Sequence, residues 1–144
     1  MKRSPLPRRR TPLPRGSALR RLSVIRRARL HHDPVWGAVK ATVWTRSLGR
    51  CEACGLHLDA STWQAHHRKM RSRGGRDSVA NTLALCPACH VAAPYAVHRD
   101  VAAATHDGQL VRGFADPATV PVRLYDGRWV LLRPDGTYQA TEAP

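Results

Sequence analysis

No stretch of the 144 residues is apolar for long enough to span a bilayer. Nor is there the apolar centre of a signal peptide near the start, where Leu6, Leu13 and Leu19 stand alone among proline and arginine. Without a membrane span or leader, the expected location is the cytoplasm, and no membrane partner is expected. Aromatic residues are few, at 6%, and a chain this short has a thin core that a structural metal would help to hold. Acidic residues are also scarce, 10 against 24 Lys and Arg, for a net charge of +14. The first thirty residues carry eleven of the basic ones and no acid, which leaves thirteen against ten, or +3, for the rest. The excess therefore belongs mostly to an arm, and such an arm suits a polyanion. An Arg-rich, acid-free start also suits an organelle transit peptide, but the repeated prolines would break the amphipathic helix that one needs.

Three stretches differ in character. Residues 1–30 alternate Pro5, Pro7, Pro12 and Pro14 with Arg8, Arg9, Arg10 and Arg15, a composition too poor in apolar surface to fold alone and expected to be disordered. Residues 31–110 hold the motifs. Asp33-Pro34 predicts a helix N-cap and first position, Val35, Trp36, Val39 and Val43 follow at helical spacing, and Gly49 ends the run. Short pieces come next: a knuckle turn at Cys51–Gly55, a strand over Thr62–His67, a basic glycine-containing loop over Arg68–Asp77, a second knuckle, and a helix beginning near Pro87. In residues 111–144, Val120–Tyr125 and Arg128–Leu132 flank Asp126-Gly127, a strong hairpin signal. That sheet is expected to cover or extend the core.

Two Cys-x-x-Cys pairs, Cys51/Cys54 and Cys86/Cys89, stand thirty-one residues apart. With no secretion signal they read as metal ligands rather than disulfides. Each pair offers two thiolates from one tight turn, which suits a closed, tetrahedral Zn2+ site. The gap exceeds the about 15 to 20 residues of a zinc ribbon, so something is inserted between the knuckles. The insert holds His66 and His67, which as neighbours on a strand face opposite ways and cannot share one job. His90 follows Cys89 directly, so the knuckle would hold it opposite the histidine strand.

The set Cys51-x-x-Cys54-Gly55, His66-His67, Gly74-Gly75, Asn81 and Leu85-Cys86-Pro87-x-Cys89-His90 resembles the HNH endonuclease family in its zinc-knuckle branch. A weaker likeness through Val97-His98, Gly108 and Ala115-Asp116-Pro117 to Val120-Pro121-Val122 is to HNH proteins of phages, and the location then becomes the host cytoplasm. The resemblance implies an α+β fold: a ββα-metal (His-Me finger) core stapled by the four-cysteine zinc site, with the basic arm before it and the C-terminal β-hairpin after. It implies that His66 and His90 ligate one catalytic divalent cation (Mg2+, Mn2+, Ni2+ or Zn2+), that His67 is the general base, and that Asn81 pins the loop and orients His67. Water would be activated to cut a DNA phosphodiester bond, leaving a 5′ phosphate and a 3′ hydroxyl.

His98 departs from the family pattern. It lies eight residues after His90, about 12 Å along an unbroken helix, so it reaches the same ion only if Pro94 interrupts the helix. Arg68, Lys69, Arg71, Arg73 and Arg76 lie between His67 and Asn81 and are expected to grip phosphates flanking the cut. Double-stranded DNA is the expected partner, with a phage terminase or another packaging or repair protein as a second. The rival reading is a non-catalytic zinc module or adaptor that binds nucleic acid and has no need of His67 or Asn81.

Overall fold

The computed structural model of the chain describes residues 34–144. The basic arm and the Asp33 cap lie outside the described residues. The first helix among the described residues, α1 (Pro34–Ser47), opens on proline, whose fixed φ and missing N–H suit that position. Val39 and Val43, four apart, bury one face against Val79 and Ala84. Leu48 (φ 51°) and Gly49 (φ 66°) then turn left-handed, and the helix stops where the glycine predicts. Arg46 in the last turn is buried. Its guanidinium donates to both Glu52 carboxylate oxygens (3.0 and 2.9 Å) and to the carbonyls of Val79 and Thr82 (3.0 and 2.7 Å). Glu52 in turn accepts from the Ala84 N–H (2.7 Å) and the Tyr138 hydroxyl (2.6 Å), so the pair is fully satisfied and ties helix, knuckle and both sheets together.

The histidine strand is shorter than its sequence suggests. Thr62 and Trp63 donate their N–H groups to the Asp59 carbonyl in a turn, and β1 begins only at Gln64 (Gln64–His67). It pairs antiparallel with β2 (Thr82–Leu85), His66 opposite Leu83 and His67 opposite Thr82. Cys86 follows β2 directly. The helix expected near Pro87 is a single π-helical turn, Ala88–Ala92, because Ala93, preceding Pro94, is extended at φ −78°, ψ 158°. A short helix, α2 (Val101–His106), is capped by the Asp100 carboxylate, which accepts from the Ala103 N–H at 3.0 Å.

The C-terminal segment forms the hairpin β3 (Val122–Arg123) and β4 (Trp129–Leu132), and a further turn at Asp135-Gly136 adds β5 (Tyr138–Ala140). Val122, Leu124, Val130 and Leu132 share one buried cluster with Cys51, Leu83, Leu85, Cys86 and Cys89. The expected α+β architecture with clustered cysteines is the one observed. Among the described residues no helix is long and apolar enough to cross a membrane.

Candidate metal centres and active site

The first knuckle is a tight turn in which the Gly55 N–H donates to the Cys51 carbonyl (2.8 Å) and Cys51 N–H to the Leu56 carbonyl (2.8 Å). Gly55 (φ 76°) lies under the Tyr125 ring, which would stand 2.7 Å from any Cβ added there. The second knuckle leaves β2 already facing it, and the Cys86 N–H points at the Cys51 sulfur (3.4 Å) and the Cys89 N–H at the Cys86 sulfur (3.4 Å). All four sulfurs fall within 4.8 Å of one another. Cys54 and Cys86 stand 3.9 Å apart, close to the about 3.8 Å edge of a tetrahedron with Zn–S bonds of about 2.3 Å. The four are free thiols; Cys51, Cys86 and Cys89 are buried and Cys54 is exposed. Burial pushes the Cys51 thiol up to about 11 and the Cys89 thiol further still. A divalent cation is what would make thiolates of such groups. Sulfur spacing, N–H donors and burial all fit Zn2+.

A second cluster involves His90, the residue that follows Cys89 in the second knuckle. The ligating nitrogens of His66, His90 and His98 are also within 4.8 Å of one another, with ring centroids 4.8–5.2 Å apart. His98 joins because the chain turns back after Pro94, its N–H reaching toward the His90 carbonyl at 3.4 Å. The Nε2 atoms of His90 and His98 stand 3.1 Å apart, the spacing of two nitrogens each about 2.0–2.1 Å from a shared ion. Neighbours set the tautomers. The His66 Nε2–H donates to the Gln109 carbonyl (2.9 Å), leaving Nδ1 with its lone pair. The His90 Nδ1–H donates to the Gln64 amide oxygen (2.5 Å), leaving Nε2 with its own. Burial lowers His66 to about 3, and burial with the nearby His98 lowers His90, so both are poised neutral, as ligands must be. His66 is 1% exposed while His98 is open to solvent. This site is half open, as a catalytic metal site requires.

His67 points to the opposite side of the strand from His66. Its Nε2 is 2.7 Å from the Asp77 Oδ1, and its ring stacks on Trp36 of α1 at 4.7 Å and 20°. Arg71 closes the group, donating from Nε to the same Asp77 oxygen (2.9 Å) and lying over the Trp36 ring at 5.4 Å. Burial works to raise the Asp77 carboxyl, but the bonds from Arg71 and His67 outweigh it and hold the group below its usual range.

Two expected roles change. Asn81 does pin the loop: its Oδ1 accepts from the Lys69 N–H (2.7 Å), and its Nδ2 donates to the Lys69 and Arg76 carbonyls (3.0 and 2.9 Å). None of those bonds reaches His67, which is oriented by Asp77 instead. Arg68 is not a phosphate contact. It is 0% exposed, and its guanidinium donates to five carbonyls, those of Gly108, Ala80, Pro117, Val120 and Pro121, at 2.7–3.3 Å. Burial pulls it down to about 10, so it is still charged at neutral pH.

The rest of the loop is at or near the surface. Lys69 donates from Nζ to the Ala115 carbonyl (3.1 Å), Arg71 is held by Asp77, and Arg73 and Arg76 are exposed. Gly75 permits the fold-back, since a Cβ there would lie 1.8 Å from the Lys69 carbonyl oxygen. Asp77, Trp36, Gln64 and Gln109 were missed as site residues. Only Asp77 carried a signal, as the lone acid among the loop's arginines.

Residues 51–93 match the family model of the HNH endonuclease. That span holds both cysteine pairs, His66, His67, Asn81 and His90, and the resemblance read from the motifs is shown over it. Over 64 residues the chain is 39% identical to the type IV methyl-directed restriction enzyme EcoKMcrA of Escherichia coli (strain K12). The match covers 40% of this chain and 22% of that enzyme, so the chain spans about a fifth of the relative's length. No solved structure matches.

Proposed function

We propose that the HNH-matching segment is the catalytic part of a metal-dependent endonuclease that hydrolyses DNA phosphodiester bonds. The observation that carries this reading is the convergence of three imidazoles from β1, the π-helical turn and the segment after Pro94, beside a fourth that is buttressed by a carboxylate. A non-catalytic zinc module would need neither the open imidazole cluster nor the His67–Asp77 pair.

His67 is the general base. With Nε2–H given to Asp77, its Nδ1 keeps the lone pair that takes a proton from the attacking water, a division of labour like that of a histidine oriented by a buried aspartate in hydrolases. The water oxygen bonds to phosphorus as the bond to the 3′ oxygen breaks, giving a 5′ phosphate and, after proton uptake from solvent, a 3′ hydroxyl. His66, His90 and His98 would hold a divalent cation, which supplies positive charge for the phosphate and the leaving 3′ oxygen. Three imidazole ligands favour Zn2+ or Ni2+ over Mg2+ and Mn2+, which prefer oxygen. Arg73, Arg76 and Lys69 bind flanking phosphates, giving affinity without sequence preference. DNA as substrate is consistent with the restriction enzyme named above, of which the match spans 22%.

The test is plasmid nicking by the full chain with each of the four ions. Wild type is expected to nick, and His67→Ala to nick about 10²–10⁴-fold more slowly while binding DNA equally. Asp77→Asn should fall between the two. Equal cleavage by wild type and His67→Ala removes the base from the scheme. Retained DNA binding without cleavage by wild type in any ion favours the zinc-module reading.

A further inference from the structure

Phe114 is the one phenylalanine of the chain, and it is fully exposed, at 106% of its reference area. A single exposed apolar side chain is ordinary on a protein surface. What sets this one apart is how it is held. Both ends of its loop are fastened to Arg68, the residue next to His67. The Val111 N–H donates to the Arg68 carbonyl (2.8 Å), and the Arg68 guanidinium donates to the Pro117 carbonyl (2.9 Å). Between those anchors the Lys69 ammonium holds the Ala115 carbonyl (3.1 Å), and the Asp116 carboxylate accepts from the Ala118 N–H (3.0 Å). Gly113, at φ 63° with open space around it, turns the loop tip so that Phe114 stands out.

The surroundings are cationic. A cleft of about 310 Å³ separates the loop from the glycine turn, lined by Lys69, Gly74, Gly75, Arg76, Phe114 and Asp116 among others. Arg112 is exposed on the loop itself. Asp116 is the one acid among these groups, and its carboxylate is already engaged by backbone. An apolar ring on a loop fastened to Arg68 and flanked by cations fits one occupant by charge, a DNA duplex whose phosphates meet Lys69, Arg76 and Arg112.

We propose that Phe114 is a wedge that enters a base step of the bound duplex beside the scissile phosphate, unstacking it as apolar side chains do in architectural DNA-binding proteins. The proposal rests on DNA being the substrate of the adjacent site. It gives Arg68 a purpose beyond packing: the residue next to His67 anchors both ends of the loop that carries the wedge.

The experiment reads unstacking rather than cutting. Full-length His67→Ala protein, whose cutting should be about 10²–10⁴-fold slower, is mixed with a set of duplexes carrying 2-aminopurine at successive positions, and fluorescence and binding are followed together. A fluorescence rise is expected at one or a few positions. Adding Phe114→Ala should abolish the rise and weaken binding about 5- to 150-fold, the range for one aromatic–base contact. Phe114→Leu, which keeps an apolar wedge, should retain most of the rise. The proposal is overturned by binding without a rise at any position, or by an equal rise with Phe114→Ala. A rise that needs Phe114 in a protein that never cuts DNA would sink the nuclease reading and leave the wedge standing; cutting without any rise would do the reverse.

Discussion

The thiol cluster and the imidazole cluster use the same second knuckle for opposite ends. Cys86 and Cys89 turn into a core shared with Leu83, Leu85, Val122 and Leu132, and three of the four sulfurs are buried. His90, one residue on, turns outward to His66 and His98, and burial falls from His66 through His90 to His98. Closed coordination inside a core is suited to holding a fold; open coordination at a surface is suited to meeting a substrate. The contrast shows how a small domain fixes a reactive site. The knuckle that carries Cys86 and Cys89 also sets the position of the backbone that carries His90.

The hardest blow to this contrast should come from Cys86→Ala. A structural Zn2+ site contributes apparent binding energies of about 10–16 kcal/mol to folding, as large as the whole net stability of a small domain, about 5–15 kcal/mol. Circular dichroism is expected to show an unfolded chain, and metal analysis little bound zinc. A folded Cys86→Ala protein would make the inner cluster dispensable.

A smaller effect, also on the scaffold side, is expected at Arg68. Arg68→Met keeps the length of the side chain but leaves five carbonyls without their donor. Stability should fall by at least about 3 kcal/mol, a melting temperature drop of more than about 10 °C for a domain of this size. Its salt dependence of DNA binding should match wild type. A stable variant with a shallower salt slope would return Arg68 to the phosphate-binding role that its sequence neighbourhood suggests.

That residue shows where sequence reading stops. The four cysteines, the histidine pair and the Asp126-Gly127 turn were legible because their ligand spacing or turn chemistry is local, whereas Asn81 came only from the family resemblance. His98 was half legible: Pro94 marks a break, but only the fold-back of residues 93–98 shows that His98 returns to His90. Arg68 was misread because its partners lie 12 to 53 residues away, mostly in a segment whose weaker likeness gives no sign that its carbonyls hold a guanidinium. Asp77 was passed over for a similar reason. Nine residues of loop separate it from His67, and that loop is pinned by Asn81 so that the two meet. Sequence shows which groups are available; long-range hydrogen bonds decide which of them face each other.

Cobalt titration of wild type and His90→Ala, with circular dichroism on the same samples, tests the division between inner and outer sites most directly. Wild type should take up two ions, one giving thiolate-to-cobalt charge-transfer bands and one without them. His90→Ala should stay folded, keep the thiolate bands and lose the other ion. If wild type binds a single ion, or if His90→Ala unfolds or loses the thiolate bands, the two clusters are not separate metal centres.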